Sequence, residues 1–178
     1  LAINARGVAV DIPLVQGALE IAGITHDELI GEAVQITGLE NPNSIKQLAS
    51  WLEKEIGDEV TDLRKDTVAM MLKNQIVTGS AERMLEIRQE LGKTSTKKYD
   101  AIEASVGADG RVRGLLQFYG ANRTGRWAGR LVQVQNLPRT YIEPLPLARD
   151  AVKNRDRDKL RVLYGSVPDT LSQLIRTS

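Results

Sequence analysis

The feature that most constrains the fold is a series of helix start signals in the first hundred residues. Asp11 is an N-cap residue, and Pro13 behind it suits the first turn of a helix. Ser44 and Gln47 form the capping box S-x-x-Q, and Ser80 is expected to cap a later helix. The predicted helices run from Asp11 to about Ile36, from Ser44 to about Ile56, from about Asp66 to Val77 and from about Ala81 to Ser105.

The last of these helices is predicted to be the longest, because apolar residues at three- and four-residue spacing mark much of one face. Its middle, GKTSTKK at 92–98, is poor in apolar residues. Short hydroxyls and lysines suit contacts to phosphate groups, so this turn is a candidate contact with nucleic acid. On spacing alone, an exposed turn of helix is the preferred alternative.

The chain changes character at Gly107–Gly110, where GADG predicts a turn. Residues 111–120 follow as a strand candidate, with Val112, either Leu115 or Leu116, and Phe118 expected to be buried. Residues 130–135 are a second extended candidate, and three prolines in 136–146 predict a loop. Short helices are predicted near Leu147–Asn154, Asp156–Leu163 and Pro168–Arg176.

These elements predict a mainly α (α+β) fold: a helical bundle with a long helix, a small antiparallel β element, and short C-terminal helices. Hydrophobic residues make up 42% of the 178 residues and aromatic residues only 4%, so we expect an aliphatic core. The absence of cysteine excludes disulfides, thiol nucleophiles and Cys-ligated zinc. No apolar run reaches the ~18 residues of a membrane span, and we expect a cytoplasmic location. Because the first residue is Leu1, we expect a piece of a longer protein.

The net charge of +1 hides an uneven distribution of charge along the chain. Residues 1–92 hold 8 basic and 15 acidic side chains, whereas residues 93–139 hold 9 basic and 3 acidic ones. Within 109–139 all six basic residues are arginine and the single acid is Asp109. Clustered arginines beside amide side chains favour a polyanionic partner over a solvated face, which is usually rich in Lys and Glu.

Three apparent catalytic motifs fail on inspection. Gly120 and Gly125 have the spacing of a phosphate-binding P-loop, but Arg126 and Trp127 replace the required Lys and Ser or Thr. The acids of DRD at 156–158 lie among basic residues, so surface ion pairs explain them better than a metal site. The single histidine, His26, has no partner motif. Residue types alone therefore indicate no catalytic site.

Residues 109–138 resemble the family A (polymerase I family) DNA polymerases, in the form found in bacteriophages and prophages. In that family a strand leads into T-G-R, and the sequence Q-N-[I/L]-P ends twelve residues later. Here Thr124-Gly125-Arg126 is followed by Gln135-Asn136-Leu137-Pro138, at the same spacing. Weaker matches occur in the same order as in the family at 5–11, 41–48, 61–68 and 85–99.

The resemblance implies that the chain binds the primer–template duplex. Donors that reach the minor-groove acceptors, which every base pair presents, test pair geometry rather than sequence. By family position Arg126 would read the minor groove at the primer terminus, supported by the amides of Gln133, Gln135 and Asn136. Lys93, Thr96 and Lys97 would contact phosphates on the long thumb helix. The implied DNA-binding set also includes Thr124 and Arg130.

The resemblance also implies what kind of piece this is: a thumb-like helical region at 1–106 and the first, incomplete part of the palm at 107–178. The metal-binding carboxylates of the family would follow Ser178, so we expect the chain to be inactive alone and Mg²⁺ to belong to the full-length polymerase. Residues 127–134 depart from the family's Leu-Ser-Ser-x-Asp-Pro-Asn-Leu. Contacts made by the family's two serine hydroxyls and by its Asp-Pro turn therefore do not carry over to this chain. Gln133 stands where the family has Asn.

Two other functions remain open at this point. The chain is alternatively a self-standing helical nucleic-acid-binding module without an enzymatic parent, or a protein-interaction domain whose arginines bind an acidic partner. An incomplete palm would expose strand edges, so we also expect that the chain can form a homodimer through them.

Overall fold

The computed structural model describes residues 2–93, 96–121 and 123–178, and these are mainly α-helical. The helices are α1 (Ala2–Arg6), α2 (Ile12–Thr37), α3 (Ile45–Ile56), α4 (Lys65–Lys73), α5 (Gly79–Leu91), α6 (Lys97–Ser105), α7 (Leu145–Lys153), α8 (Arg157–Tyr164) and α9 (Val167–Leu174). The strands are β1 (Val8–Ala9), β2 (Arg111–Val112), β3 (Leu116–Ala121) and β4 (Arg126–Gly129). Short 3-10 turns occupy Val134–Asn136 and Ile175–Thr177. The predicted mainly α fold with small antiparallel elements is confirmed.

The chain divides into two compact units. Unit 1 comprises residues 1–23 and 94–178, and unit 2 comprises residues 24–93. These limits differ from the expected division after residue 106, which concerns thumb-like and palm-like regions and stays a prediction.

Unit 1 is built around the first turns of α2 and the helices α6 to α9. Gly17 of α2 lies so close to α7 that an added Cβ would come within 2.2 Å of the Val152 carbonyl oxygen. Tyr99 of α6 is fully buried, and its hydroxyl donates a hydrogen bond of 2.7 Å to the Leu171 carbonyl. Burial raises the pKa of this phenol. The core of unit 1 is therefore aliphatic, with a single satisfied tyrosine at its centre.

Two small antiparallel sheets complete unit 1. In the first, β1 pairs with β2, with Val8 opposite Val112. In the second, β3 pairs with β4, with Leu116 opposite Gly129. The Asn4 side chain extends this second sheet, because its amide donates to the Leu116 carbonyl at 2.6 Å and accepts from the Leu116 N–H at 3.0 Å.

Unit 2 packs the rest of α2 with α3, α4 and α5 around an aliphatic core. Ser44 caps α3 as predicted, accepting from the Gln47 N–H at 3.4 Å. Gln47 completes only half of the box, because its side chain accepts from the Asn41 N–H instead. Leu48 and Leu52 of α3 are fully buried, and Trp51 of the same helix is partly buried against the same cluster.

The predicted long helix over 81–105 is wrong. Helix α5 ends at Leu91, where the Gly92 N–H still donates to the Arg88 carbonyl, and α6 begins at Lys97. The longest described helix is α2, with 26 residues. Ser80 is not the cap of α5, because that helix already begins at Gly79 after Thr78. Apolar residues on both sides of the break share the same helical spacing, so spacing alone joined the two helices although 92–98 is poor in apolar residues.

The second half of the chain confirms some predictions and corrects others. The three C-terminal helices occur where they were predicted. The extended segment predicted at 130–135 is not a strand, because Leu131 and Gln133 have positive φ values of 55° and 52°. Phe118 was expected to be buried, but 65% of it is exposed. No helix in the described ranges is long and apolar enough to cross a membrane.

Candidate nucleic-acid interface

The predicted site begins at the β3–β4 hairpin. The N–H groups of Thr124 and Gly125 both donate to the Ala121 carbonyl, at 3.0 and 2.9 Å, and these bonds close the turn. Arg126 opens β4 directly opposite Ala121. The hairpin therefore presents Thr124 and Arg126 together at its tip, and both are exposed.

The arginines of 109–139 divide into two groups. Arg111 donates to the carbonyls of Arg6 and Gly7, and Arg113 donates to the Ala5 carbonyl, so both hold the C-terminal end of α1. The other four are exposed, and within the described residues their guanidinium groups make no hydrogen bond or ion pair: Arg123, Arg126, Arg130 and Arg139. Only this second group is available to a partner.

The single acid of this region does not neutralise the exposed arginines. Asp109 forms a two-pronged ion pair with Arg113, at 2.9 and 2.6 Å. The hydrogen bonds from Arg113 lower the pKa of the Asp109 carboxyl to about 2. Its charge is therefore taken up by an arginine that already holds α1, and the hairpin keeps its positive potential.

Residues 130–137, which we call the amide loop, are anchored by contacts that residue patterns did not reveal. The Arg130 N–H donates to the Leu115 carbonyl at 2.8 Å. The Lys98 ammonium donates to the buried Val132 carbonyl at 2.9 Å, and Arg176 donates to the Leu137 carbonyl at 2.7 Å. The only signal for Lys98 was its position beside Lys97 in the proposed phosphate-binding turn.

The amide loop brings its predicted donors together in part. The Asn136 side-chain amide donates to Gln133 Oε1 at 3.2 Å, so these two side chains form a pair. Gln135 lies over the backbone of Gly129, because a Cβ built on Gly129 would be 2.0 Å from Gln135 Oε1. All three amide residues are exposed, which leaves their side chains accessible from solvent.

The predicted phosphate contacts are not carried by one helix. Lys93 is the last residue of unit 2, whereas Thr96 and Lys97 belong to unit 1. Lys93 and Thr96 are half-buried, and Lys97 is exposed at the first turn of α6. Thr94 and Ser95, in the middle of GKTSTKK, lie outside the described residues.

The hairpin also carries a group of exposed aromatic side chains, and one of them, Phe118, was predicted to be buried. Phe118, Tyr119 and Trp127 are all exposed, and Phe118 meets Trp127 edge to face with ring centroids 5.2 Å apart. Tyr119 has a positive φ of 54° where β3 is irregularly paired with β4. The strand alternation that predicted a buried Phe118 was interrupted by this bulge.

Taken together, the hairpin and the amide loop offer guanidinium forks and amide N–H groups but no exposed acid. Such donors suit hydrogen-bond acceptors on a polyanion. Within residues 2–93, 96–121 and 123–178 no three His, Asp or Glu side chains lie close enough together to hold a metal ion.

Comparison with known proteins gives one strong similarity. No family model matches the chain, and no solved structure matches it. Over 176 residues, which is 99% of this chain, the sequence is 50% identical to a curated protein of Bacillus phage SP02 that is named DNA polymerase. The chain spans 27% of the length of that protein, so the similarity concerns one portion of a longer polypeptide.

Proposed function

We propose that this chain is a DNA-binding portion of a DNA-directed DNA polymerase of the polymerase I family, acting in replication or repair. The observation that carries the proposal is the 50% identity, over almost the whole chain, to a phage protein named DNA polymerase. The chain corresponds to 27% of that protein, so nucleotide transfer would be a property of the longer polypeptide.

In this proposal Arg126 is the minor-groove fork at the primer terminus. Its position supports the role, because it is exposed at the hairpin tip and no described side chain engages its guanidinium. Minor-groove acceptors occur at equivalent places in every base pair, so a planar fork would test pair geometry without selecting sequence. Gln133, Gln135 and Asn136 would supply further donors to the nearby duplex.

The phosphate contacts in this proposal come from the residues between α5 and α6. Lys97 is exposed at the start of α6, where its ammonium would meet a phosphate as a point charge. Lys93 and Thr96 flank the two residues outside the described ranges. Thr124 and Arg130 would add contacts from the hairpin. These contacts would give affinity without sequence choice.

Mg²⁺ chemistry does not enter the proposed role of this chain. Polymerases join nucleotides with two metal ions that stabilise the attacking and leaving oxygens. By the resemblance, the carboxylates that hold these ions belong to another part of the polymerase. The proposed contribution of this chain is therefore to hold and test the duplex, and Mg²⁺ is expected to belong to the longer polymerase.

The test compares Arg126 with an arginine outside the interface. We expect Arg126→Ala to weaken binding to a fluorescent primer–template duplex about five- to tenfold, which corresponds to the lower end of the about 1–3 kcal/mol that loss of a bidentate arginine contact costs. Arg126→Lys keeps the charge but loses the fork, so it should recover only part of the affinity.

Arg161→Ala is the matched control, because Arg161 is exposed on α8 and no described side chain engages it. Its affinity should stay within about twofold of the parent chain, as expected for a surface charge outside a phosphate contact. Equal losses from Arg126→Ala and Arg161→Ala would reject the fork. Failure of the parent chain to bind DNA at low salt would reject the proposed function.

A further inference from the structure

The β3–β4 hairpin exposes an unusual share of the aromatic residues of the chain. The sequence has one Phe, two Trp and four Tyr, and three of these lie on this hairpin. Phe118, Tyr119 and Trp127, which we call the aromatic face, are 65%, 58% and 48% exposed. The edge-to-face contact between Phe118 and Trp127 leaves ring faces open to solvent. A cluster of exposed rings of this kind marks a binding surface.

A groove adjoins the aromatic face. It has a volume of about 460 Å³ and is lined by Ala2, Ile3, Asn4, Leu116 and Trp127. Trp127 forms one wall, and the other side chains are apolar apart from Asn4. The Asn4 amide is already bonded to both backbone groups of Leu116. The lining of the groove is therefore largely apolar, and it offers few free hydrogen-bonding groups to the polar edges of a ligand.

The charge around the aromatic face selects the class of partner. Residues 110–142 contain no Asp or Glu, and Arg123, Arg126 and Arg130 are exposed without a described side-chain partner. A positive hairpin attracts a polyanion and repels a basic surface. Rings beside positive charge are the combination that proteins use for single-stranded nucleic acid.

Base pairing decides between single-stranded and duplex DNA as the occupant. Bases inside a duplex stack on one another, so a protein ring reaches only an unpaired base. The proposed duplex contact depends on Arg126, whereas the proposed stacking depends on Trp127 and the two rings beside it on β3. The proposed duplex contact and the aromatic face are therefore separable by mutation.

We propose that the aromatic face and its groove bind unpaired nucleobases of a single-stranded template by stacking, without sequence preference. This inference rests on the proposed function, because it takes DNA to be the partner of the hairpin. It adds a second DNA contact, to the strand outside the duplex, through Trp127, Phe118 and Tyr119.

The test uses Trp127 as its own reporter. The chain has two tryptophans, so Trp51→Phe leaves Trp127 as the single emitter. We expect oligo(dT) to quench Trp127 fluorescence and to bind about tenfold more tightly than an abasic oligonucleotide of equal length, which has the same phosphates but no bases. A blunt duplex should bind without quenching Trp127.

Matched variants separate the ring from its bulk. Trp127→Leu keeps apolar volume but removes one of the three rings, so it should lower oligo(dT) affinity towards the abasic level in anisotropy measurements on labelled DNA. Trp127→Phe should retain part of the preference for bases. Tyr141→Ala removes a ring outside the hairpin that is more exposed than Trp127, and it should change nothing. Circular dichroism checks that each variant is folded.

Each remaining outcome overturns the inference in a distinguishable way. If oligo(dT) and the abasic strand bind equally while the blunt duplex still responds to Arg126→Ala, stacking is wrong and the proposed function stands. If no DNA binds, both proposals fail. If Trp127 emission changes with protein concentration alone and the chain sediments as a dimer, a second copy covers the aromatic face and stacking is wrong.

Discussion

Single residues in this chain take their roles from what their backbone surroundings already satisfy. Arg111 and Arg113 resemble the exposed arginines in type and spacing, yet they donate to carbonyls of residues 5–7. Arg126 occupies a strand position whose backbone is paired, and its fork stays exposed. Residue type therefore identified a basic region, and the fold separates its structural arginines from those that a partner can reach.

The position of the Gln135 side chain over Gly129 gives a prediction for a single residue. A methyl group at Gly129 would overlap the Gln135 carboxamide, so Gly129→Ala should displace that side chain. Because only the end of an exposed side chain must move, we expect little loss of stability. We expect a change in the Gln135 side-chain NH₂ signals in NMR spectra and about a twofold to twelvefold weaker binding to duplex, in line with a lost hydrogen bond of about 0.5–1.5 kcal/mol.

Gly31→Ala is the control for this prediction, because the structure shows open space around its Cβ position. In mid-helix that change should stabilise the chain by about 0.5–1 kcal/mol and leave the Gln135 signals alone. Gln135 signals that keep their parent shifts in Gly129→Ala would show that the side chain does not lie over Gly129.

At the scale of elements, an acid at the start of α2 ties three parts of unit 1 together. Asp11 accepts from the Leu14 N–H at 3.3 Å and pairs with Arg149 at 2.6 Å and Lys153 at 2.7 Å, both on α7. Arg149 also donates to the Thr177 carbonyl near the C-terminus. The predicted helix cap is thus also the centre of an ion cluster, which its sequence position did not reveal.

Asp11→Asn should show how much this ion cluster contributes to the free energy of unfolding. Burial acts to raise the pKa of the Asp11 carboxyl. Hydrogen bonds from Lys153 and the Leu14 N–H, together with the charges of Lys153 and Arg149, outweigh burial and hold this pKa below its ordinary value. A lowered folded-state pKa stabilises the fold above the unfolded value and loses that effect as pH falls through the folded value. We expect a loss of about 1.5–3 kcal/mol at pH 7, which is what a hydrogen bond to a charged group contributes.

Urea unfolding followed by circular dichroism at pH 7 and again below the lowered folded-state pKa of Asp11 measures this effect. The difference between Asp11→Asn and the parent should shrink in acid, where Asp11 is protonated. Asp150→Asn, on α7 beside Arg149, removes an exposed acid and should leave the free energy of unfolding nearly unchanged. A difference that stays constant with pH would mean that the charge of Asp11 does not stabilise unit 1.

The elements differ in how far the sequence predicts them, for a physical reason. Local signals placed α2, α3 and the three C-terminal helices, because caps and prolines act within one turn. The end of α5 at Leu91 is not revealed by apolar spacing, and the irregular pairing of β3 with β4 between Gln117 and Ala121 has no capping signal of this kind. Positive φ at Leu131 and Gln133 has no signal in residue type, since side chains of this kind rarely adopt it. The exposure of Phe118 followed from that hairpin geometry.

At the scale of the whole molecule, the two units carry opposite net charge. Unit 1 holds 16 basic and 10 acidic residues, and unit 2 holds 8 and 13. The net charge of the chain is close to zero, so overall attraction to a polyanion is weak, and in the proposed function affinity comes from local contacts, most of them on unit 1. Residue patterns located this asymmetry, but they assigned the acidic part to residues 1–92, which the units divide differently.

We propose that the chain binds duplex DNA through a defined set of cationic contacts. The salt dependence of the duplex affinity measures how many such contacts there are. The logarithm of the association constant for a primer–template duplex should fall linearly with the logarithm of salt concentration, with a slope of about −0.9 per phosphate contact. Lys97→Ala should make that slope shallower by about one, whereas Arg161→Ala should not change it. A slope near zero, or a slope that both substitutions change equally, would contradict the proposed interface.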